Sequence, residues 1–480
     1  MIEHRKCKRA GLLATQGIRG GANREVLKRI KDTGDIFYAE SDRPWILAGA
    51  NVHVSMVGFD DGSETMRRLN GENAPYIGAQ LTAQADLTGA VPLRANVSLS
   101  HIGASMHGPF PIPEETALEF LSTPNPSGKP SSDVVRLWCN GMTIVKREPD
   151  MWLIDMPPDL PLAEVVHYEA PVEYLRTHVL PVRKANRRAM RRKNWWILGD
   201  PQKAMRAAVK SLHRYLGTPR IAKHRVFVWF TVSVLPTDQV VAFAVEDDCS
   251  FGVLQSRFHE IWALKQGTRL ETRPRYTPST CFETFPFPRP TPKQEAAIAA
   301  AAKELNELRE RWLNPSEWTE THTLEFPGSV GGPWDRYIDK GTIHEVGRVT
   351  PCAPSGTNPD TSVGKRRRAE DCPPYLVGTV RYPRLVPKDA ECAAKLKKRT
   401  LTNLYNERPA WLDLAHKKLD AAVAAAYGWV RAGQATVDLT DEQILEKLLA
   451  LNLERAAEEA KAANVKKPKT TREKHTDEML

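Results

Sequence analysis

The sequence predicts an α/β chain in three parts: an edge of an N-terminal sheet, a mixed α+β middle and a helical C-terminal region. Three observations predict it. A strand, a Gly-rich turn, a helix and two further strands follow one another over residues 10–59. Short apolar runs punctuated by Pro, Gly and Asn fill the middle. Long Ala-, Leu- and Glu-rich segments with helical spacing come last.

The first strand is AGLLAT (10–15), followed by the turn QGIRGGAN (16–23) and the helical pattern REVLKRIK (24–31). DIFYAES (35–41) and NVHVSMVGF (51–59) read as strands, the second alternating small polar with apolar residues. Residues 70–175 are mixed, with turn signals at NGENAPYIG, HGPFPIP and TPNPSGKP. FVWFTVSV (227–234) and VVAFAVED (240–247) flank LPTDQ and are expected to pair as a hairpin. SRFHEIWALKQG predicts a helix ending at Gly267, and the Pro-punctuated TRPRYTPSTCFETFPFPRPTP predicts an extended segment.

Helices are expected at 293–312 and 409–427; the second has Pro409 at its start and Gly428 just past its end. TDEQ (440–443) matches a capping box ahead of ILEKLLALNLERA. From about 456 a polar, Lys-rich, disordered tail is expected, and residues 347–378, rich in Pro, Gly and Ser, read as an exposed insertion. Its KRRR (365–368) is a solvated loop or a phosphate contact, the former favoured. These readings divide the chain at 1–70, 71–290, 291–455 and 456–480.

With 41% hydrophobic residues, the 480-residue chain has enough apolar side chains for sizeable cores. No run approaches the roughly 18–20 apolar residues of a membrane helix. The N-terminus lacks an apolar signal-peptide core. A cytoplasmic protein with no membrane partner is expected. The seven cysteines are odd in number, widely spaced and without a CxxC pair, so reduced, packing cysteines are expected rather than a disulfide framework or a zinc ribbon. HExxH and clustered His/carboxylate sets are missing, and no metal site is expected.

Charge is the most informative feature. The chain carries net +10, but residues 176–225 hold fifteen Lys or Arg against one acid, Asp200, so the remainder is net negative. Such a concentration is the electrostatic footprint of a nucleic-acid surface. RKANRRAMRRKNWW (183–196) is its centre. If helical, it sets Arg183, Arg187 and Arg191 at i, i+4, with Lys184, Arg188 and Arg192 one position on, as a broad cationic stripe. Like charges at that spacing repel, and a phosphate backbone would relieve the repulsion. Lys193, Lys203, Arg206, Lys223, Arg225 and Arg257 extend the candidate surface for double-stranded DNA. Asn186, Asn194, Gln255 and Arg257 are candidate base readers. Trp195 and Trp196 either stack on bases or anchor the segment to a core, the core being favoured.

Several stretches together resemble a known family: RAGLLATQGIRGGAN, SDRPWILAGANVHVSMVGF, WLIDM (152–156), LPVRKANRR, FGVLQSRFHEIWAL, TCFETFPFPRP and ERPAWLDLAHKKLDAAVAAAYGW. In that order they resemble the C-terminal part of the MmeI-like restriction-modification adenine-N6 DNA methyltransferases, from about residue 9 to about 455. The resemblance implies that the N-terminal edge is the late part of a Rossmann-like methyltransferase sheet. A target-recognition domain and a helical region would follow. It also implies S-adenosylmethionine as cofactor and an adenine flipped out of the duplex for methylation. Trp45 and the strand 52–59 would lie in the wall near the flipped base, although a plain sheet strand is favoured for 52–59.

Two motifs carry the family's chemistry, an FxGxG-type turn for the cofactor and an (N/D)PP(Y/F) loop for the adenine. MPPD (156–159) lacks the leading Asn or Asp and the aromatic, TQGIRGG (15–21) is not FxGxG, and SVGGPW (329–334) is downstream. The expectation is a recognition portion without catalytic or cofactor-binding residues, completed by a catalytic half, as a separate N-terminal chain or in a longer product. That half-sheet should leave an exposed apolar edge beside strand 52–59. The alternative is a catalytically silent DNA-binding protein or decayed fragment. A nuclease is disfavoured because no PD…(D/E)xK constellation is present.

Overall fold

The computed structural model describes residues 7–19, 21–47, 50–74, 76–83, 87–147, 150–270, 273–346, 375–429 and 439–465. They form two compact units, one from residues 1–93 and 438–480, the other from 94–437. This division places 71–93 with the N-terminal sheet and 291–437 with the middle of the chain. Nearly all of the insertion expected at 347–378, including the KRRR run, lies outside the described residues, as do Cys352 and Cys372.

In the first unit a five-stranded sheet runs in the order Arg9–Thr15, Ala50–Asp60, Asp35–Leu47, Arg67–Leu69, Glu72–Ala74. The first three pair antiparallel, with Leu12 opposite Val57 and Ala39 opposite Val57 on the other side. The strand 50–60 is therefore interior, and the edge is Arg9–Thr15, where Leu13 is 55% exposed. This corrects the expectation of an open edge beside 52–59: the hairpin partner and the first strand occupy both of its sides. The helix Glu25–Thr33 turns Leu27 and Ile30 into a core with Ile18, Ile36, Ala39, Val57 and Ile77. Asp35, held by Lys31 and Arg67, fastens the helix end to the sheet.

The helix Asp441–Val465 belongs to the same unit and starts at the predicted capping box. Gln443 N–H donates to Thr440 Oγ1 at 3.3 Å, and Thr440 N–H donates to Gln443 Oε1 at 3.0 Å. Buried Asn452 pairs with both backbone groups of Val91. The helix carries on through the first ten residues of the expected tail, and 466–480 lie outside the described residues.

The second unit contains two four-stranded sheets. One has the order Val228–Phe230, Tyr215–Pro219, Val240–Phe243, Ser100–Ile102. The other has the order Val234–Pro236, Val135–Cys139, Met151–Ile154, Pro111–Ile112. The hairpin expected from 227–247 is thus replaced by a split. Val228–Phe230 and Val240–Phe243 sit on opposite sides of Tyr215–Pro219, and Val234–Pro236 crosses to the second sheet, parallel to Val135–Cys139. A turn at Thr231–Val234 redirects the chain between them. Runs buried on both faces, such as VVAF, carry no alternation from which a partner strand could be chosen.

The helix Pro292–Leu313 opens with a Thr291–Gln294 capping box and packs against Ala410–Ala426 and Asp248–Gln255. Gly428 closes the second helix at φ +70°, as its position predicts. The helix expected before Gly267 spans Arg257–Gln266.

Candidate nucleic-acid interface

The basic segment does not form one helix. Leu180–Lys184 closes the helical run that begins at Glu169, and Ala189–Lys193 is a separate helical turn, with Asn186–Arg188 between them out of helical conformation. The stripe predicted from i, i+4 spacing is therefore broken. The physical reason lies in Arg183, which is 1% exposed. Its Nη2 donates to Met106 O at 3.0 Å and to Ile197 O at 2.9 Å, and its guanidinium lies 5.2 Å from the centre of the Phe110 ring. Burial, with Arg191 nearby, lowers its pKa to about 10. Arg183 is a strut under the segment, tying its two ends to the 104–108 loop.

The corner above this strut is closed by its own polar groups. Asn186 N–H donates to Arg183 O at 3.0 Å, and Arg188 N–H to the Asn186 side-chain oxygen at 3.0 Å. Arg192 Nη1 donates to the carbonyls of Asn186 and Arg187 at 2.8 and 3.0 Å. Trp195 and Trp196 then meet edge to face and pack into the core, where the Trp196 indole donates to Leu160 O. The core reading of the tryptophans holds.

Around this corner Lys184, Arg187, Arg188, Arg192 and Lys193 are exposed and Arg191 is half-exposed. None of them has an acidic partner among the described residues. His107, which sequence reasoning missed, stands beside them; burial first, then the charges of Arg191, Arg183 and Arg188, lowers its pKa. The only sequence signal for it was the turn HGPFPIP.

The other predicted contacts are placed differently. Arg206 turns inward onto Asp155, the acid of WLIDM, with two bonds of 2.7 and 2.8 Å. Arg136 joins the same carboxylate at 3.2 Å. Burial alone would raise the pKa of Asp155, but the two guanidiniums hold it below the usual range. Arg225 is 5% exposed, donates to Thr218 Oγ1 and Pro219 O and lies over the Tyr276 ring. Lys203 pairs with Asp159, and Lys223 donates to Asn406 at 2.6 Å, both at the surface. Arg257 is half-buried at a helix start, its N–H on Asp420 at 2.8 Å.

Gln255, expected as a base reader, is buried instead. It accepts from Phe227 N–H and Arg309 and donates to Arg225 O. Arg220, one of the basic residues of the 176–225 segment, meets a cation the sequence did not single out, Arg275; burial and then Arg275 lower the Arg220 pKa, and Ile221 bridges to Arg275 through the backbone. Among the described residues no His/Cys/Asp/Glu group is arranged to hold a metal ion, and no helix is long and apolar enough to cross a membrane.

Comparison with known proteins supplies a frame for this surface. Residues 221–289 match the family described as MmeI, target recognition domain. The matched segment begins after the cationic corner and covers the split strands, the Gln255 helix and the Arg275 segment. The fold is similar to that of the Type IIL restriction-modification enzyme MmeI solved in complex with DNA, with a TM-score of 0.52 at 17% identity, over 95% of this chain and 51% of that one. The chain thus spans about half the length of the solved enzyme. A 59-residue stretch is 37% identical to DNA methyltransferase A of Bacillus subtilis (strain 168), covering 12% of this chain and 7% of that protein.

Proposed function

We propose that this chain, similar to an MmeI-like DNA methyltransferase portion in its fold and its recognition segment, is the DNA-recognition part of a site-specific restriction-modification methyltransferase. The observation that carries the reading is the closed corner 184–193, six cations without an acidic partner among the described residues, on a unit that also holds the matched recognition segment. A phosphate backbone satisfies such a surface through charge-assisted, bidentate contacts. Arg187, Arg188, Arg191 and Lys193 with Lys184 are assigned to phosphate. Arg192, Arg183, Arg206 and Arg225 are assigned to shaping the surface, because their donors already serve the protein.

The reaction this reading implies is transfer of a methyl group from S-adenosylmethionine to adenine N6. The Gly-rich turn at 16–24 does not fit the loop that would hold that cofactor. A Rossmann-type turn follows a strand lying among parallel neighbours and leads into a helix N-terminus. Here the Gly-rich turn follows Arg9–Thr15, which pairs antiparallel with Ala50–Asp60, and it folds into two 3-10 turns at Gln16–Arg19 and Gly21–Arg24. The methyl-transfer site is therefore assigned to a catalytic half that joins this chain.

Anisotropy with duplex DNA over a salt series tests the reading. Replacing Arg187, Arg188, Arg191 and Lys193 with Ala should weaken binding and flatten the dependence of log K on log salt by roughly 0.9 per lost contact. An unchanged slope returns the corner to a solvated surface. Calorimetry with S-adenosylmethionine on the same chain should give no binding; tight binding would overturn the assignment of the cofactor elsewhere.

A further inference from the structure

The corner contains one residue that phosphate binding does not explain. Met190 sits in the middle of the turn Ala189–Lys193 with 67% of its surface exposed. A large apolar side chain surrounded in sequence by Arg187, Arg188, Arg191 and Lys193 is badly placed for a protein partner. An apolar protein surface closing over it would strip water from those charges without replacing it. A nucleic-acid duplex supplies both complements at once, phosphates at its rim and an apolar stack of base pairs behind them.

We propose that Met190 is a wedge that enters the base stack of duplex DNA while the flanking cations hold the two backbones. The inference deepens the DNA-binding reading above and rests on it. Opening a base step breaks base stacking at a real energetic cost, so a wedge must be carried by a support that does not give way. The corner is such a support. Its entry is fixed by the Arg183 strut, its bend by Asn186 and the Arg192 guanidinium, and its exit by Asn194 N–H on Met190 O at 2.9 Å. Trp195 and Trp196 then anchor the chain in the core. A thioether is suited to the task, being unbranched, polarisable and attracted to aromatic rings.

The test needs no knowledge of the recognition site. A relaxed closed-circular plasmid is treated with topoisomerase in the presence of the full chain, wild type, M190A or M190L, at occupancies matched by anisotropy. Wedging unwinds the duplex, so the wild type should shift the topoisomer distribution. M190A should lose that shift while keeping the wild-type salt slope, and M190L should retain it. A shift in M190A equal to that of the wild type overturns the proposal, as does wild-type binding without any shift. If the wild type does not bind the plasmid at all, the DNA-binding reading falls and the wedge falls with it. If M190A leaves the topoisomers unchanged from wild type but abolishes self-association, the residue belongs to a contact between copies.

Discussion

Arg206 grips the buried carboxylate of Asp155 with both of its terminal nitrogens, at 2.7 and 2.8 Å, across 51 residues of sequence. Arg136 completes the cluster, and its own Nη2 also reaches Val232 O at the point where the chain crosses between sheets. Removing one partner leaves a buried charge uncompensated, which costs about 3–5 kcal/mol. D155N, which leaves both guanidiniums unpaired, should lower the unfolding free energy by that order, and R206A, which leaves Asp155 with Arg136 alone, by less. The pH dependence follows from the lowered pKa of Asp155. Its contribution is present above the ordinary aspartate range and is lost as pH falls through the lower folded value. Acid unfolding curves of wild type and D155N should converge at low pH. Curves that stay parallel would remove Asp155 from the stability balance.

Stability and DNA affinity should separate between two groups of residues that sequence reasoning placed together. Q255A removes the acceptor of Phe227 N–H and a partner of Arg309, and strands buried groups at a cost of about 1–3 kcal/mol each. It should reduce stability and leave the salt slope of DNA binding unchanged in the protein that remains folded. R187A should do the reverse, with the midpoint unaltered and the slope reduced by roughly 0.9. A changed slope in Q255A, measured at a temperature where it is folded, would restore that residue to the interface.

Asp420 gives a pH effect of opposite sign. It accepts the Arg257 N–H at 2.8 Å and so caps one helix from another. Burial, opposed by that bond and by the charges of Arg257 and Arg408 but aided by Glu260, raises its pKa to about 6. The folded protein therefore binds the proton more tightly than the unfolded one. Its stabilising effect is full in acid and is lost as pH rises from about 4 to the folded value. D420N keeps an acceptor for Arg257 N–H and carries no charge. It should gain up to about 3 kcal/mol over wild type at pH 8, with the gain disappearing toward pH 4. A gain that is independent of pH would assign the effect to packing.

Much of the fold was legible wherever a local signal sufficed. Thr440–Gln443 and Gly428 mark helix ends within a few residues of sequence, and the structure places them where the pattern does. Strand partners were not legible. Leu216 lies between Trp229 and Phe243, and Leu235 pairs with Trp138, choices made by tertiary packing among runs that are apolar on both faces. At the candidate interface, composition located the segment but not its geometry. Repulsion among like charges weakens a continuous helix, and the demand of Arg183 for Met106 O and Ile197 O sets where the chain bends. Nothing in the spacing could separate Arg183, a strut, from Arg187, a surface charge. Asp155 was visible in WLIDM, but its pairing with Arg206 is a non-local fact.

The FGVLQ stretch acquires a mechanical reason through Gly252, and with it the last prediction. Gly252 faces the helix Pro292–Leu313 so closely that a Cβ would stand 2.7 Å from Ile298 Cγ2, 3.0 Å from Ala302 Cβ and 3.1 Å from Leu419 Cδ1. Three helices meet at this point, and the helix Asp248–Gln255 also delivers Gln255 to the Arg225–Phe227 backbone. The Ile298 and Leu419 methyls can rotate, but Ala302 Cβ is fixed to its helix, so an added methyl must move a helix. Overpacking of this kind costs about 1–3 kcal/mol. G252A should lower the thermal midpoint, and I298A, which removes the Cγ2 methyl, should cost less in the G252A background than in the wild type because it yields one of the three contacts. If G252A proves neutral, the helices are free to separate and the close contact does not fix the position of Gln255. If I298A costs as much in G252A as in the wild type, the rigid Ala302 contact carries the penalty.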